Sequence, residues 1–299
     1  MLNGIINIYK EAGFTSHDVV AKMRGICRQK KIGHTGTLDP EATGVLPVCL
    51  GSGTKLCDML TDKDKEYVAE LLLGVTTDTQ DTTGTVLMER EVNVQEEAVR
   101  EAVLSFIGDY MQVPPMYSAL KVDGKKLYEL AREGKEVERK ARPVRILDIE
   151  ILEISLPVIK MRVACSRGTY IRTLCADIGE KLGCGGTMKS LKRTRVGGFS
   201  IEDAYTLSEL EKIRDEGRLE EILFPVESAF EDCPMLHVKQ EFRKLIDNGN
   251  SFYPSQTVEN KTYEIGQWVK VFRDDNRFMG VYAYAPDRHW YKPVKMFLE

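Results

Sequence analysis

The segment GHTGTLDPEATGVLPV, Gly33 to Val48, contains a carboxylate that chemistry could use. Asp39 lies among Gly33, Gly36 and Gly44, residues that let a backbone turn tightly. A carboxylate presented on such a loop can act as a nucleophile or as a general base. Two plainer accounts compete. Aspartate followed by proline is a favoured helix start, with Asp39 as cap and Pro40 in the first helical position. Gly33-His34-Thr35-Gly36 also has the form of the phosphate clamp of a KH module, a short pattern of low specificity.

A second constellation is basic. Lys121 to Arg145 carries nine bases against five acids, with Tyr117 and Tyr128 close by. RNA loops are recognised by shape, phosphate contact and stacking, which suits lysines interleaved with aromatic rings; a solvated hairpin and helix would look the same by charge count. Bases also gather at Lys22, Arg24, Arg28, Lys30 and Lys31, and at Lys189, Lys192, Arg193 and Arg195, whereas Ser200 to Asp232 holds eleven acids and three bases. The net charge of −4 argues, as an average, against a nucleic-acid partner. The average hides a segregation that lets one face meet phosphates while another meets water, although each run taken singly reads first as a solvated helix face.

Other chemistries have no signature here. The seven cysteines (27, 49, 57, 165, 175, 184, 233) are scattered and form no Cys-x-x-Cys pair, and the four histidines (17, 34, 237, 289) are far apart. Reduced thiols and no metal are expected. Neither a Walker loop nor a dinucleotide fingerprint occurs, so no nucleotide cofactor is expected. The opening MLNGIINIYK has too early a charge for a signal peptide, and no window approaches the ~20 apolar residues of a membrane span. A cytoplasmic protein is the expectation.

The elements that must position these groups follow from periodicity. Residues 2 to 10 alternate as a strand, and Thr15 or Ser16 caps a helix carrying Val19, Val20, Met23 and Ile26. Gly33 to Gly53 reads as loop, short helix and buried strand, and Tyr67 to Gly74 as a strand ending in the polar turn TTDTQDTTG. Residues 95 to 107 form an amphipathic helix. After Pro114 and Pro115 come a strand, an Asp123-Gly124 turn, a short helix and a basic connector, read as an insertion of about 115–145 that projects from the core. Strands begin at Val144 and Ile159, and a helix runs from about Thr169 to Leu182. An acidic helical linker over 202–232 precedes short alternating stretches of a small β domain.

Gly33 to Leu46 resembles the signature G-H-x-G-x-L-D-P-x-A-x-G-x-L of the TruB family of pseudouridine synthases at every fixed position. KEYVAELLLGVTTDTQDTTG, PPMYSALKVDGKKLYELAREG and CSRGTYIRTLCADIGEKLGCGG resemble its later motifs in order, so the resemblance covers nearly the whole chain and weakens after about residue 230. It implies an α+β fold: a catalytic domain over 1–232 with a mixed, mostly antiparallel sheet flanked by helices, and a PUA-like β domain over 233–299. The implied activity turns the T-loop uridine of tRNA into pseudouridine, breaking C1′–N1 and forming C1′–C5 after the base is flipped out. That isomerisation exchanges no electrons or phosphates and needs no cofactor.

The resemblance makes Asp39 the catalytic carboxylate, with nucleophile and base both open, and Arg172 the guanidinium that holds it ionised and oriented. Tyr67 becomes the ring stacked on the extruded uracil, and His34 the residue that fills the space the base vacates. RNA contact is implied at Lys121, Lys125, Lys126, Tyr117, Tyr170 and Leu191. The partner is then the tRNA T-arm, bound by a monomer that also assists tRNA folding. A non-catalytic tRNA-binding protein on the same scaffold is the alternative, though it would have no use for Asp39, Tyr67 and Arg172 together. The related guide-RNA-dependent synthases fit less well, given the basic insertion and small terminal domain.

Overall fold

The first strand is buried on both faces, and the computed structural model, which describes residues 1–122 and 124–298, shows how the later ones close around it. β1 (Gly4–Lys10) leads to helix α1 (Ser16–Ile26). Thr15 caps α1 through a reciprocal box: Asp18 N–H donates to Thr15 Oγ1 at 3.1 Å, and Thr15 N–H to Asp18 Oδ2 at 2.8 Å. β2 (Ile32–His34) and β3 (Thr43–Leu50) follow, then the short helix α2 (Cys57–Thr61) and β4 (Lys65–Leu73). A small ladder of β5 (Val75–Thr77) and β6 (Val86–Glu89) precedes α3 (Glu96–Leu104) and β7 (Gly108–Gln112). The basic segment holds β8 (Lys121–Val122), β9 (Lys125–Lys126) and α4 (Leu127–Arg132). The turn expected at Asp123 lies outside the described residues.

The long hairpin of β10 (Arg142–Ser155) and β11 (Val158–Cys165) leads to α5 (Ile171–Lys181), β12 (Gly186–Val196) and β13 (Phe199–Ser200). One nine-stranded sheet results, ordered β1-β3-β12-β4-β11-β10-β7, with β2 beside β3 and β13 beside β12. Only β3 and β12 run parallel in it, at Thr43 and Gly44 beside Lys192 and Arg193. The mixed, mostly antiparallel sheet is therefore present. Gly44 is required at that crossing: at φ +104° an added Cβ would lie 2.1 Å from the Arg193 carbonyl oxygen. Gly179 does the same for α5, where a Cβ would meet the Gly186 nitrogen at 2.2 Å.

Two expectations are corrected. No helix separates the glycine-rich loop from β3; Asp39 to Ala42 is a turn, closed by Ala42 N–H donating to the Asp39 carbonyl at 3.1 Å. Asp39 is thus no helix cap, because β3 begins before a helical turn could form. The acidic segment is no linker either. Its helix α6 (Leu207–Asp215) buries Leu207 and Leu210 against α1 and β1, and Tyr205 and Phe224 bridge to Ile8 and Ile5. Its acids face water while its leucines supply core.

The last sheet consists of β14 (Met235–His237), β15 (Trp268–Phe272), β16 (Phe278–Ala285) and β17 (Trp290–Met296), with α7 (Arg243–Asp247) beside it. It has its own core around Val269, Val271, Tyr282 and Tyr291, while Val281 and Phe297 join Phe230 and Ile5 in a shared cluster. No helix among the described residues is long and apolar enough to cross a membrane.

Candidate active site

The turn carrying Asp39 is held from both sides. Thr35 N–H donates to the Pro47 carbonyl at 3.2 Å, and Leu38 N–H to Ser16 Oγ on α1 at 3.0 Å. Beneath it lies Lys10, the last residue of β1 and fully buried. Its ammonium donates to the carbonyls of Glu11, Pro40 and Ala42 at 3.1, 2.8 and 2.6 Å, so its hydrogens are committed to fixing the loop. Burial pulls the Lys10 amine down to about 8, with Asp39 and Glu41 acting the other way.

Arg172 meets Asp39 from the first turn of α5. Its Nε lies 3.0 Å from Asp39 Oδ2 and one terminal nitrogen 3.3 Å from Oδ1, the two-donor fork that fixes a carboxylate's orientation. That same nitrogen donates to the Tyr117 carbonyl at 2.8 Å. The other terminal nitrogen donates to the Thr79 carbonyl at 3.1 Å and sits 3.7 Å from Asp81 Oδ2. The arginine side chain is 7 % exposed, the aspartate 39 %, so the pair forms a buried cation with its anion partly exposed. Withdrawal from water raises the Asp39 carboxyl above its ordinary range; Arg172 opposes the rise, Asp81 adds to it and Lys10 opposes it. Burial therefore outweighs the guanidinium here.

Asp81 was legible only as part of a polar turn. In the structure Thr79 and Thr83 hydroxyls donate to its Oδ1 at 2.8 and 2.6 Å, with Thr83 N–H at 3.0 Å, leaving Oδ2 toward Arg172. The Asp-and-Thr-rich composition of TTDTQDTTG was the available signal.

Tyr67 occupies an inward position of β4, which buries every second residue. Across the ladder stands Arg193 of β12, itself 1 % exposed. Arg193 Nε donates to the Val45 carbonyl at 2.7 Å, and the guanidinium lies opposite Tyr67 across the ladder. Burial pushes the Tyr67 phenol up to about 12 against that guanidinium, so the phenol stays neutral over any ordinary working range. Arg193 departs from the reading of the bases 189–195 as a solvated surface run: the parallel crossing with β3 turns it into the interior.

His34 ends β2 with its ring edge-on to His17 of α1, centroids 5.2 Å apart. Its Nδ1 is buried with no hydrogen-bond partner among the described residues, and burial, His17 and Arg193 all lower its pKa. Leu191 packs against the cluster that contains Tyr67 and Leu38. Tyr170 caps α5, exchanging hydrogen bonds with the Gln112 side chain at 2.8 and 2.9 Å. Tyr117 reaches Arg172 through its carbonyl, so the basic segment folds back onto the site rather than simply projecting. The lysines are not brought to Asp39. Lys121 and Lys125 are exposed, Lys125 pairs with Glu133 at 3.5 Å, and Lys126 donates to the Tyr128 hydroxyl at 3.2 Å.

This sequence and this fold have counterparts. The model of the TruB family pseudouridylate synthase N-terminal domain matches residues 24–171, and that of the tRNA pseudouridylate synthase B C-terminal domain matches 172–231. The chain belongs to the TruB family of pseudouridylate synthases. It is 52 % identical over 307 residues to tRNA pseudouridine synthase B of Lachnoclostridium phytofermentans, covering 99 % of this chain and 100 % of that one. The protein of the same name from Alkaliphilus oremlandii is 48 % identical, with 99 % and 97 % covered. Among solved structures, a Cbf5-Nop10-Gar1 complex aligns with TM-score 0.74 at 28 % identity over 99 % of this chain and 85 % of its counterpart. An H/ACA RNP bound to a substrate RNA containing 2′-deoxyuridine aligns at 0.73 and 26 %, with the same coverage.

Proposed function

We propose that this chain isomerises the T-loop uridine of tRNA to pseudouridine, with Asp39 as the carboxylate that acts at the sugar. The observation that carries the reading is the Asp39–Arg172 fork, in which a buried guanidinium orients an anion that remains partly exposed. Such a pair suits a step in which C1′–N1 breaks, the uracil turns, C1′–C5 forms and the C5 proton leaves. Atoms balance within one nucleotide plus solvent. Tyr67 supplies a neutral ring against the uracil, and His34, whose imidazole burial disfavours charging, fills the stack from which the base has been drawn. Extruding a base costs a few kcal/mol, which a plug helps to offset.

RNA contact then falls to Lys121, Lys125, Lys126, Tyr117, Tyr170 and Leu191, with residues 1–232 carrying the chemistry and 233–299 gripping RNA away from it. A monomer working in the cytoplasm, where its substrate is made, completes the proposal. The relatives named tRNA pseudouridine synthase B support the choice of tRNA. The test is release of tritium from C5 of uridine in unmodified tRNA, in buffer and salt alone. Release from a T-loop uridine is expected, and its absence with correctly folded protein would overturn the proposal.

A further inference from the structure

An aromatic pair stands on the outer face of the last sheet, beyond the segments matched by the family models. Phe252 and Tyr291 bridge at the edge of that sheet, and both rings point inward, 1 % and 0 % exposed. Alternation turns the adjoining Tyr253 and Trp290 outward, opposite one another, with ring centroids 6.4 Å apart and planes at 41°. Tyr253 is 49 % exposed. The cross-strand partners on β16 are small and buried: Ala285 beside Trp290 and Ala283 beside Lys292. Beside these small partners Trp290 and Lys292 are the bulky groups of this face, or shelf.

Charge gives the shelf its chemistry. Arg288, in the turn between β16 and β17, lies 5.1 Å from the Trp290 ring centroid, and Lys292 shares the outward face two residues beyond Trp290. The ion pairs of this part of the chain use Arg243, Arg273 and His237 instead, so Arg288 and Lys292 have no carboxylate at ion-pair distance among the described residues. The neighbouring acid, Asp287, is exposed on the same turn. An arginine over the Trp290 ring and an exposed lysine on the same strand face, together with the exposed ring of Tyr253, match a polyanion that carries flat bases.

We propose that this shelf stacks an unpaired nucleotide of the RNA substrate, with Tyr253 as the open ring, Trp290 as its wall, and Arg288 and Lys292 on the phosphates. The inference rests on the reading of the chain as an RNA-modifying enzyme and adds a binding site remote from its chemistry. Stacking of this kind tolerates sequence, because every base has a π-face.

The chain has two tryptophans, so full-length Trp268→Phe leaves Trp290 as the single reporter. Titration with a single-stranded oligoadenylate of about six nucleotides should quench Trp290 saturably, while an RNA duplex of equal charge should quench little. Tyr253→Ala should weaken the single strand by at least about fivefold, and Tyr253→Phe should restore it. Arg288→Ala should flatten the salt dependence by about 0.7 per lost contact. Absence of quenching by the single strand, equal quenching by the duplex, or indifference to Tyr253→Ala would each overturn the proposal. Normal turnover by Asp39→Asn would instead remove the catalytic reading and leave Trp290 quenching intact.

Discussion

Replacing Arg172 by methionine removes the fork on Asp39 and nothing from the RNA. In the wild type the two contacts of 3.0 and 3.3 Å oppose a burial that already holds the Asp39 carboxyl above its ordinary range. An opposite charge within ~4–6 Å lowers a carboxylate's pKa by ~1–3 units, so its loss should carry the acid limb of the pH–rate profile upward by an amount in that range. The sign follows from the reactive form. Asp39 works as carboxylate, a higher pKa leaves less of it at a given pH, and the rate must fall at higher pH than before. Well above the limb the carboxylate is fully formed in both proteins, and any remaining deficit reports orientation. Misplacing a catalytic group costs about 100-fold, and that is the plateau deficit expected. Arg172→Lys should restore the limb more than the plateau, because an ammonium brings charge without the planar fork. The assay is single-turnover tritium release at saturating tRNA across pH for the three proteins, with tRNA binding as the check on folding. Arg172→Met matching wild type in both limb and plateau would refute the pairing, as would full rescue by lysine of both.

Other perturbations separate the remaining groups. Asp39→Asn should abolish turnover while tRNA affinity, measured by filter binding, stays within about tenfold. Asp81→Asn should move the acid limb downward, opposite to Arg172→Met, because Asp81 raises the Asp39 carboxyl; its plateau should also fall, since Arg172 loses its second anchor. Lys121→Ala should flatten the log-affinity against log-salt plot by about 0.7 to 0.9, and Lys125→Ala by less, because Glu133 already neutralises Lys125. Lys10 should appear in thermal melts. Its amine is depressed to about 8 when folded against 10.5 for an ordinary lysine, so between those values the unfolded chain holds the extra proton and stability rises with pH. Wild type should therefore gain on Lys10→Met over that window, and a constant difference in Tm would show that Lys10 is not so depressed.

The sequence by itself determined what is local. Thr15 or Ser16 announces a cap for α1, YVAELLLG announces a strand that begins at Tyr67, and the motif around Asp39 marks the carboxylate. These are readable because capping and periodicity act within a few residues. The pairings of the site are not local. Arg172 lies 133 positions from Asp39, and whether the two meet depends on α5 docking against β12 through Gly179. Asp81 passed as one acid in a polar turn until its threonines and Arg172 were in place. Arg193 stood in a run of bases that sequence alone reads as surface, and the parallel pairing of β3 with β12 buried it behind Tyr67. The tertiary structure also decided that Asp39 caps no helix and that the acidic segment of 202–232 packs on β1. In each case the deciding term is desolvation, since whether a charge is a solvated surface group or a buried partner depends on which strand comes to lie beside it.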